Sequence, residues 1–226
     1  KLLSYVEIYL KEEIAKEGFV RKLDSFYRFL DVTGIYSGEI LNSLNISREC
    51  GVSHKTVISY FEILEETLLG YRLQACDKSI KRQLSKHPKF YFSDNGINQA
   101  ITKQLRDPMV TTLRGKLFEQ WVINEFRAYL SYFKKNFQLH FWRTERGEYE
   151  VDLILSKQQT PKLAIEIKAK KKITKSDISS LLEFKKEFPK VELICLCEVE
   201  HPYHENNVLI INPMDYFNDH IKTLTT

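Results

Sequence analysis

Apolar positions recur along this chain with two different periods. In the first half the spacing is helical. Lys1–Gly18 carries Leu2, Leu3, Val6, Leu10 and Ile14 on one side of a helix with a charged opposite face, and Gly18 provides a stop. Lys22–Thr33 repeats the pattern with Leu23, Phe26, Tyr27 and Leu30, until Gly34 and Gly38 interrupt it. In Leu44–Thr67 a short helix over Ser47–Cys50 meets Gly51, a natural left-handed turn residue. Ser53 then caps a second helix whose buried stripe is Val57, Tyr60, Phe61 and Leu64. This reads as a helix-turn-helix. Leu68–Cys76 and Lys89–Ser93 read as strands and Asn95–Leu105 as a further helix, while Arg106–Arg114, with Asp107-Pro108, reads as a domain boundary.

After that boundary the period changes. An apolar helical run opens at Gly115, and three runs with period 2 follow: Leu139–Thr144, Tyr149–Leu155 and Leu163–Ala169. A helix over Ser176–Phe188, strands over Val191–Cys197 and Val208–Ile211, and a closing helix from Pro213 complete the pattern. The order is α-β-β-β-α-β, so the expected class is α/β (α+β) with a mixed central sheet.

Two of these strands carry charges where the pattern is otherwise apolar. Asp152 shares a face with Glu150 and Ile154, and Glu166 shares one with Ala164 and Lys168. If the linker Ser156–Lys162 folds the two runs into an antiparallel hairpin, Asp152 and Glu166 become neighbours on one face. Two carboxylates held that close raise one another's pKa, and a divalent cation relieves the repulsion. Hard oxygen donors, few in number, suit Mg²⁺ (or Mn²⁺), which keeps waters and binds phosphates. Lys168 would orient an attacking water or offset charge on a phosphate.

Composition fits a soluble globular protein: 43% hydrophobic and 28% charged residues, with no apolar run long enough to span a membrane and no secretory signal. The four cysteines have no metal-ligand spacing, and Cys195 and Cys197 read as buried small hydrophobes on one strand face. A cytoplasmic location is expected. The net charge of +4 permits nucleic-acid binding without requiring it. More specific is where the cations fall. The second helix of the helix-turn-helix presents Ser53, His54, Lys55, Thr56 and Ser59 outward. Asp77–Pro88, between the next two strands, carries Lys78, Lys81, Arg82, Lys86 and His87. A helix-turn-helix followed by a hairpin with a basic tip is a winged helix, and duplex DNA is its expected partner. Lys170 and Lys171, just past Lys168, would form a phosphate-facing lip.

Asp152, thirteen residues, then Glu166-x-Lys168 resembles the bipartite motif of the PD-(D/E)XK nuclease superfamily. The residue before Asp152 is Val151 where the name of the motif has proline. Gly115-Lys116-Leu117-Phe118-Glu119 resembles the opening of that superfamily's first core helix, which often carries a further acid; Glu119 is in phase with Val122, Ile123 and Phe126 and would face inward. The resemblance implies a metal-dependent deoxyribonuclease in which Asp152 and Glu166 hold the metal, Glu119 assists directly or through water, and Lys168 positions the nucleophile.

The whole chain is similar to the C-terminal region of unassigned function of bacterial and archaeal AAA-type ATPases, which pairs a winged helix with a nuclease-like fold. Tyr5-Val6-Glu7-x-Tyr9-Leu10, Gly51-Val52-Ser53-x-x-Thr56-Val57, Tyr91-Phe92-Ser93-Asp94-x-Gly96, Gly115-x-x-x-Glu119, Glu150-Val151-Asp152 and Ile165-Glu166-Ile167-Lys168 carry the likeness. It implies a winged helix-turn-helix domain over residues 1–110, a nuclease-like domain over 111–226, and an ATPase module ahead of Lys1, an expectation strengthened by a first residue that is not Met. The chain itself has no Gly-x-x-x-x-Gly-Lys-Ser/Thr loop and no expected ATPase activity. Three roles follow: a Mg²⁺-dependent endonuclease delivered to DNA by the winged helix; an inactive nuclease-like scaffold serving as a regulatory or partner-binding module of the ATPase; or a DNA-binding regulator working through the winged helix alone.

Overall fold

A computed structural model of the chain describes residues 6, 23–77 and 86–221. It is an α+β structure with two compact units, Lys1–Leu73 with His87–Val110, and Gln74–Lys86 with Thr111–Thr226. The helix expected over Lys1–Gly18 lies outside the described residues, apart from Val6, which is buried. Among the described residues no helix is long and apolar enough to cross a membrane.

In the first unit, α1 (Leu23–Ile35), α2 (Ser43–Cys50) and α3 (His54–Glu66) pack around an aromatic centre. Phe29 meets Phe61 edge-on at 4.8 Å, Phe26 meets Tyr60 at 5.0 Å, and Phe61 continues the cluster to Phe90 at 5.0 Å. Such pairs contribute about 0.5–1.5 kcal/mol each beyond the area they bury. The helix ends follow the sequence. Asn42 accepts the Asn45 N–H, Gly51 sits at φ 65° between α2 and α3, and the Ser53 side chain accepts the Thr56 N–H. Unlike the expected break at Gly34, α1 runs through it. A Cβ there would lie 2.7 Å from Thr102 Cγ2, so this glycine serves the approach of α4 (Asn95–Ile101) rather than ending a helix.

Strand β1 (Gly70–Ala75) pairs antiparallel with β2 (Lys89–Phe92) from Gly70↔Phe92 to Leu73↔Lys89. Its last two residues pair elsewhere. Gln74↔His140 and Ala75↔Phe141 are parallel partners on β3 (Gln138–Arg143), and the Cys76 N–H donates to the Phe141 carbonyl at 2.6 Å. The expected hairpin is therefore shorter than Leu68–Cys76 with Lys89–Ser93 implies. Lys78, Lys81 and Arg82, expected at its basic tip, lie outside the described residues.

The second unit starts with α5 (Thr111–Tyr132), which begins four residues before Gly115 and so takes in the end of the expected linker. Next come β3, β4 (Glu150–Lys157), β5 (Thr160–Lys168), a 3-10 turn at Lys175–Ile178, α6 (Ser179–Glu187) and β6 (Glu192–Cys197). The sheet runs β3-β4-β5-β6-β8-β7. Pairs β3–β4 and β4–β5 are antiparallel, and β5–β6 and β6–β8 are parallel. Central β5 is buried from Leu163 to Ile167, with α5 and α6 both packed on it. Leu181 and Phe184 of α6 share a core with Ile154, Ala164, Leu193, Cys195 and Cys197.

β7 (Tyr203–Glu205), an antiparallel partner of β8 (Val208–Ile211), was not expected. Three polar-flanked residues, none of them buried, leave no period to read. The signal that remains is Asn206-Asn207, both at positive φ (51° and 62°) in the two-residue turn. After Asn212, whose side chain accepts the Met214 N–H at 2.9 Å, the chain makes one α turn (Pro213–Asp215) and a wider turn (Tyr216–His220).

The linker expected over Ser156–Lys162 is only Gln158-Gln159, because both strands extend into it. Both glutamines have positive φ (50° and 63°), the conformation of a type I′ turn, which disfavours residues with a Cβ. Gln159→Gly is expected to raise stability by about 0.5–1 kcal/mol, read as a higher urea midpoint at constant m-value. An unchanged or lower midpoint would show that the turn carries no strain.

Candidate metal and phosphate site

The hairpin brings the expected acids together because its register is fixed by apolar pairs. Leu153↔Ile165, Ile154↔Ala164 and Leu155↔Leu163 face each other across β4 and β5. One step further in the same register, Asp152 lies opposite Glu166, on the face of Ile154 and Ala164. The backbone ladder gives way there, and the Asp152 carboxylate takes over: its Oδ2 accepts the Ile167 N–H at 2.8 Å. This bond holds Asp152 against the end of β5, a contact that alternation alone does not predict.

Both carboxylates are buried, with Asp152 7% and Glu166 4% exposed. Lys168 pairs with Glu166 Oε1, and its Nζ stands 3.9 Å from Asp152 Oδ2. Glu166 Oε2 is buried and has no hydrogen-bond partner. Glu119 on α5 acts on both Glu166 and Lys168 through its charge. Asp152 and Glu166 thus both face the Lys168 ammonium, with Glu119 acting at longer range. Burial, first, and the Asp152 charge, second, push the Glu166 carboxyl well above its ordinary range, and Lys168 offsets this only in part. Burial pulls Lys168 down, but Asp152 and Glu166 outweigh it, so its ammonium is held above its usual range and stays protonated. An ion pair ordinarily lowers its acid. Here both partners are raised: at Glu166 burial and the Asp152 charge outweigh Lys168, and at Lys168 the two acids outweigh burial.

The donor set fits a hard divalent cation. It offers two carboxylates and a buried acceptor oxygen, Glu166 Oε2, with nothing donating to it. Among the described residues no group of three or more His, Cys, Asp and Glu side chains is placed to hold a metal ion; a cation here would be held by the pair Asp152 and Glu166, with Glu119 acting at longer range. In the parallel register Cys195 stands beside Glu166 and Cys197 beside Lys168. Both are free and fully buried, as the sequence implies.

Arg114 is a residue that sequence reasoning left in the linker. Its Nη1 donates to the Ala169 carbonyl at 2.8 Å and its Nη2 pairs with Glu198. Nothing local in sequence signals a contact spanning 84 positions. Lys170, expected at a phosphate-facing lip, pairs with Asp177 at 2.5 Å; Lys171 is exposed. A separate cleft of about 460 Å³ is lined by Asp77, Lys86, Trp142, Arg143, Arg146 and Glu187 among others. Lys86 pairs with Asp77 there at 3.1 Å and Trp142 Nε1 donates to Glu187 at 3.2 Å. Asp152, Glu166 and Lys168 do not line it.

In the first unit, Lys55 and Ser59 are exposed on α3. Three other expected contact residues are already engaged. His54 Nε2 is 2.8 Å from Ser43 Oγ, and Ser53 Oγ is 2.8 Å from Thr56 Oγ1.

Two family models match the chain. Residues 2–107 match a domain of unknown function (DUF8612). Residues 114–217 match a second domain of unknown function (DUF4143), which is commonly associated with the C-terminal regions of AAA ATPases. No curated protein and no solved structure matches the chain.

The raised Glu166 carboxyl has a measurable signature. A buried acid with a raised pKa favours the folded state most below its ordinary value of 4.5, and that contribution is lost as pH rises through the folded value. In metal-free buffer, wild type is expected to lose stability relative to Glu166→Gln as pH rises above the ordinary 4.5, read from denaturant unfolding. Parallel curves for the two proteins would remove the buried, electrostatically loaded carboxyl. Lys168 does not confuse the window, since its raised ammonium titrates above its ordinary 10.5.

Proposed function

We propose that the second unit cleaves phosphodiester bonds in DNA, with Mg²⁺ or Mn²⁺ held by Asp152 and Glu166. The observation that carries this reading is the unpartnered, buried Glu166 Oε2 beside a second carboxylate and a lysine. When bound, the metal supplies Lewis acidity and a bound water of lowered pKa. The residues of the chain do the rest. The Ile167 N–H fixes the Asp152 carboxylate. Lys168, kept protonated by its acids, is unsuited to act as a base and serves to orient a nucleophile and offset phosphate charge. Glu119 adds negative charge that raises the Glu166 carboxyl further and draws positive charge to the pair. The matched domain of unknown function supports placing this unit in the C-terminal region of an AAA-type ATPase, and the motif resemblance supports a nuclease-like fold.

Purified protein is expected to nick supercoiled plasmid with Mg²⁺ or Mn²⁺. Asp152→Asn is expected to lower the rate by roughly 100-fold or more while DNA binding persists. Equal cleavage by the variant would assign the activity to a contaminant.

One observation favours a second reading. Lys168 already closes on Glu166, so the cluster has an internal counter-charge. A nuclease-like scaffold that serves as a regulatory or partner-binding module would need no more. Calorimetric titration with Mn²⁺ separates the two: the nuclease reading requires binding heat that Glu166→Gln abolishes, and the scaffold reading requires none.

For the first unit we propose a winged-helix role in duplex binding, supported by the capped turn at Gly51–Ser53 and the exposed Lys55 and Ser59 on α3. Those contacts are mostly to phosphates. Lys55→Glu is expected to weaken duplex binding and reduce the slope of log K against log salt by about 1–2, measured by fluorescence anisotropy. An unchanged slope would take α3 off the DNA.

A further inference from the structure

The first turn of α5 has a property that the acid site does not by itself explain. Arg114 ties this turn to the residue after Lys168, through the Ala169 carbonyl and the Glu198 carboxylate. Glu198 in turn donates its N–H to the Lys170 carbonyl at 3.0 Å. One turn along α5 from Gly115, on the same helix face, comes Glu119, whose charge reaches Glu166 and Lys168. Gly115 therefore lies between two residues that border the site.

A Cβ built at Gly115 meets no atom of the described residues within 4 Å, and its backbone is not in the left-handed region. Neither packing nor conformation asks for glycine there, unlike Gly34 against Thr102 or Gly51 in its turn. A glycine inside a helix destabilises it relative to alanine. What the glycine leaves is bare backbone one turn before Glu119, whose charge reaches Glu166 and Lys168, and next to Arg114, which is tied to the end of β5. Close approach of a ligand to a backbone is one of the few reasons for such a residue.

We propose that the Gly115 turn is the wall along which the sugar–phosphate backbone of a polymeric substrate passes the acid pair, with Arg114 as the positioning residue that fixes this wall to the end of β5. This rests on the nuclease reading and narrows it to a long polyanion. A small diester reaches the acids without running along α5, so the wall matters only for the polymer.

The test uses the full chain with Gly115→Ala and Gly115→Leu. Plasmid nicking, Mn²⁺-dependent hydrolysis of bis(p-nitrophenyl) phosphate, Mn²⁺ binding heat and Tm are measured for each. The expected result is an unchanged or raised Tm, unchanged Mn²⁺ heat and small-diester hydrolysis, and a loss of plasmid nicking of roughly tenfold or more in Gly115→Leu, through KM. Gly115→Ala shows a smaller loss in the same direction and carries the test if the leucine variant does not fold. Undiminished plasmid nicking by the variants overturns the proposal, as does equal loss on both substrates, which would mean a distorted site. Failure of the nuclease reading looks different: wild type itself would give no Mn²⁺ heat and cleave neither substrate, and the wall proposal would fall with it.

Discussion

Two acids crowd one ammonium inside a sheet. Asp152 near the start of β4 and Glu166 near the end of β5 meet Lys168, Glu119 adds its charge from α5, and the two strand acids are shielded from water. A buried carboxylate without enough counter-charge must take up a proton, bind a cation or loosen the fold. The surrounding elements restrict the third way out. The Asp152 side chain is part of the hydrogen-bonding of β5 through the Ile167 N–H, so it cannot turn away without unzipping the strand end. Lys168 is held from the opposite direction, since the next residues are fastened to Arg114, Glu198 and Asp177. The cluster is thus set in a frame that resists relaxation, which is what keeps its charge imbalance in place.

The frame itself is an ordinary consequence of apolar pairing. Central β5 has an antiparallel neighbour in β4 and a parallel one in β6, with helices packed on it. Residues from Leu163 to Ile167 are therefore buried whatever their chemistry, and Glu166 is carried into the interior by its neighbours. A one-residue slip would turn Glu166 to the opposite face and break the apolar pairs of the hairpin, so the same hydrophobic pattern that stabilises the sheet also sets the acid opposite Asp152.

Much of this was legible in the sequence because it is local. Period-2 alternation in Val151–Leu155 and Leu163–Ile167, with a short connection between them, was enough to put Asp152 and Glu166 on one face. The cap at Ser53 left an equally clear mark on its helix. What stayed hidden was long-range or weakly patterned. Arg114 reaches Glu198 through folding alone, and no residue near it announces the contact. β7 is too short and polar to show a period, and α1 passes Gly34 because a side chain of α4 needs the room. The unpartnered oxygen of Glu166 is a property of packing, and no spacing rule reports it.

The buried thiols give the molecule a built-in clock. Cys50 lies in the first unit, and Cys76, Cys195 and Cys197 lie in the second, all unpaired and shielded. Burial also pushes the Cys50 thiol up to about 11 and the Cys76 thiol up to about 12, so neither reacts readily while folded. An alkylating reagent can then modify these sulfurs only as fast as the backbone around each one opens. Mass increments on Cys50 and on the other three would time the breathing of each half separately, without any label being engineered in.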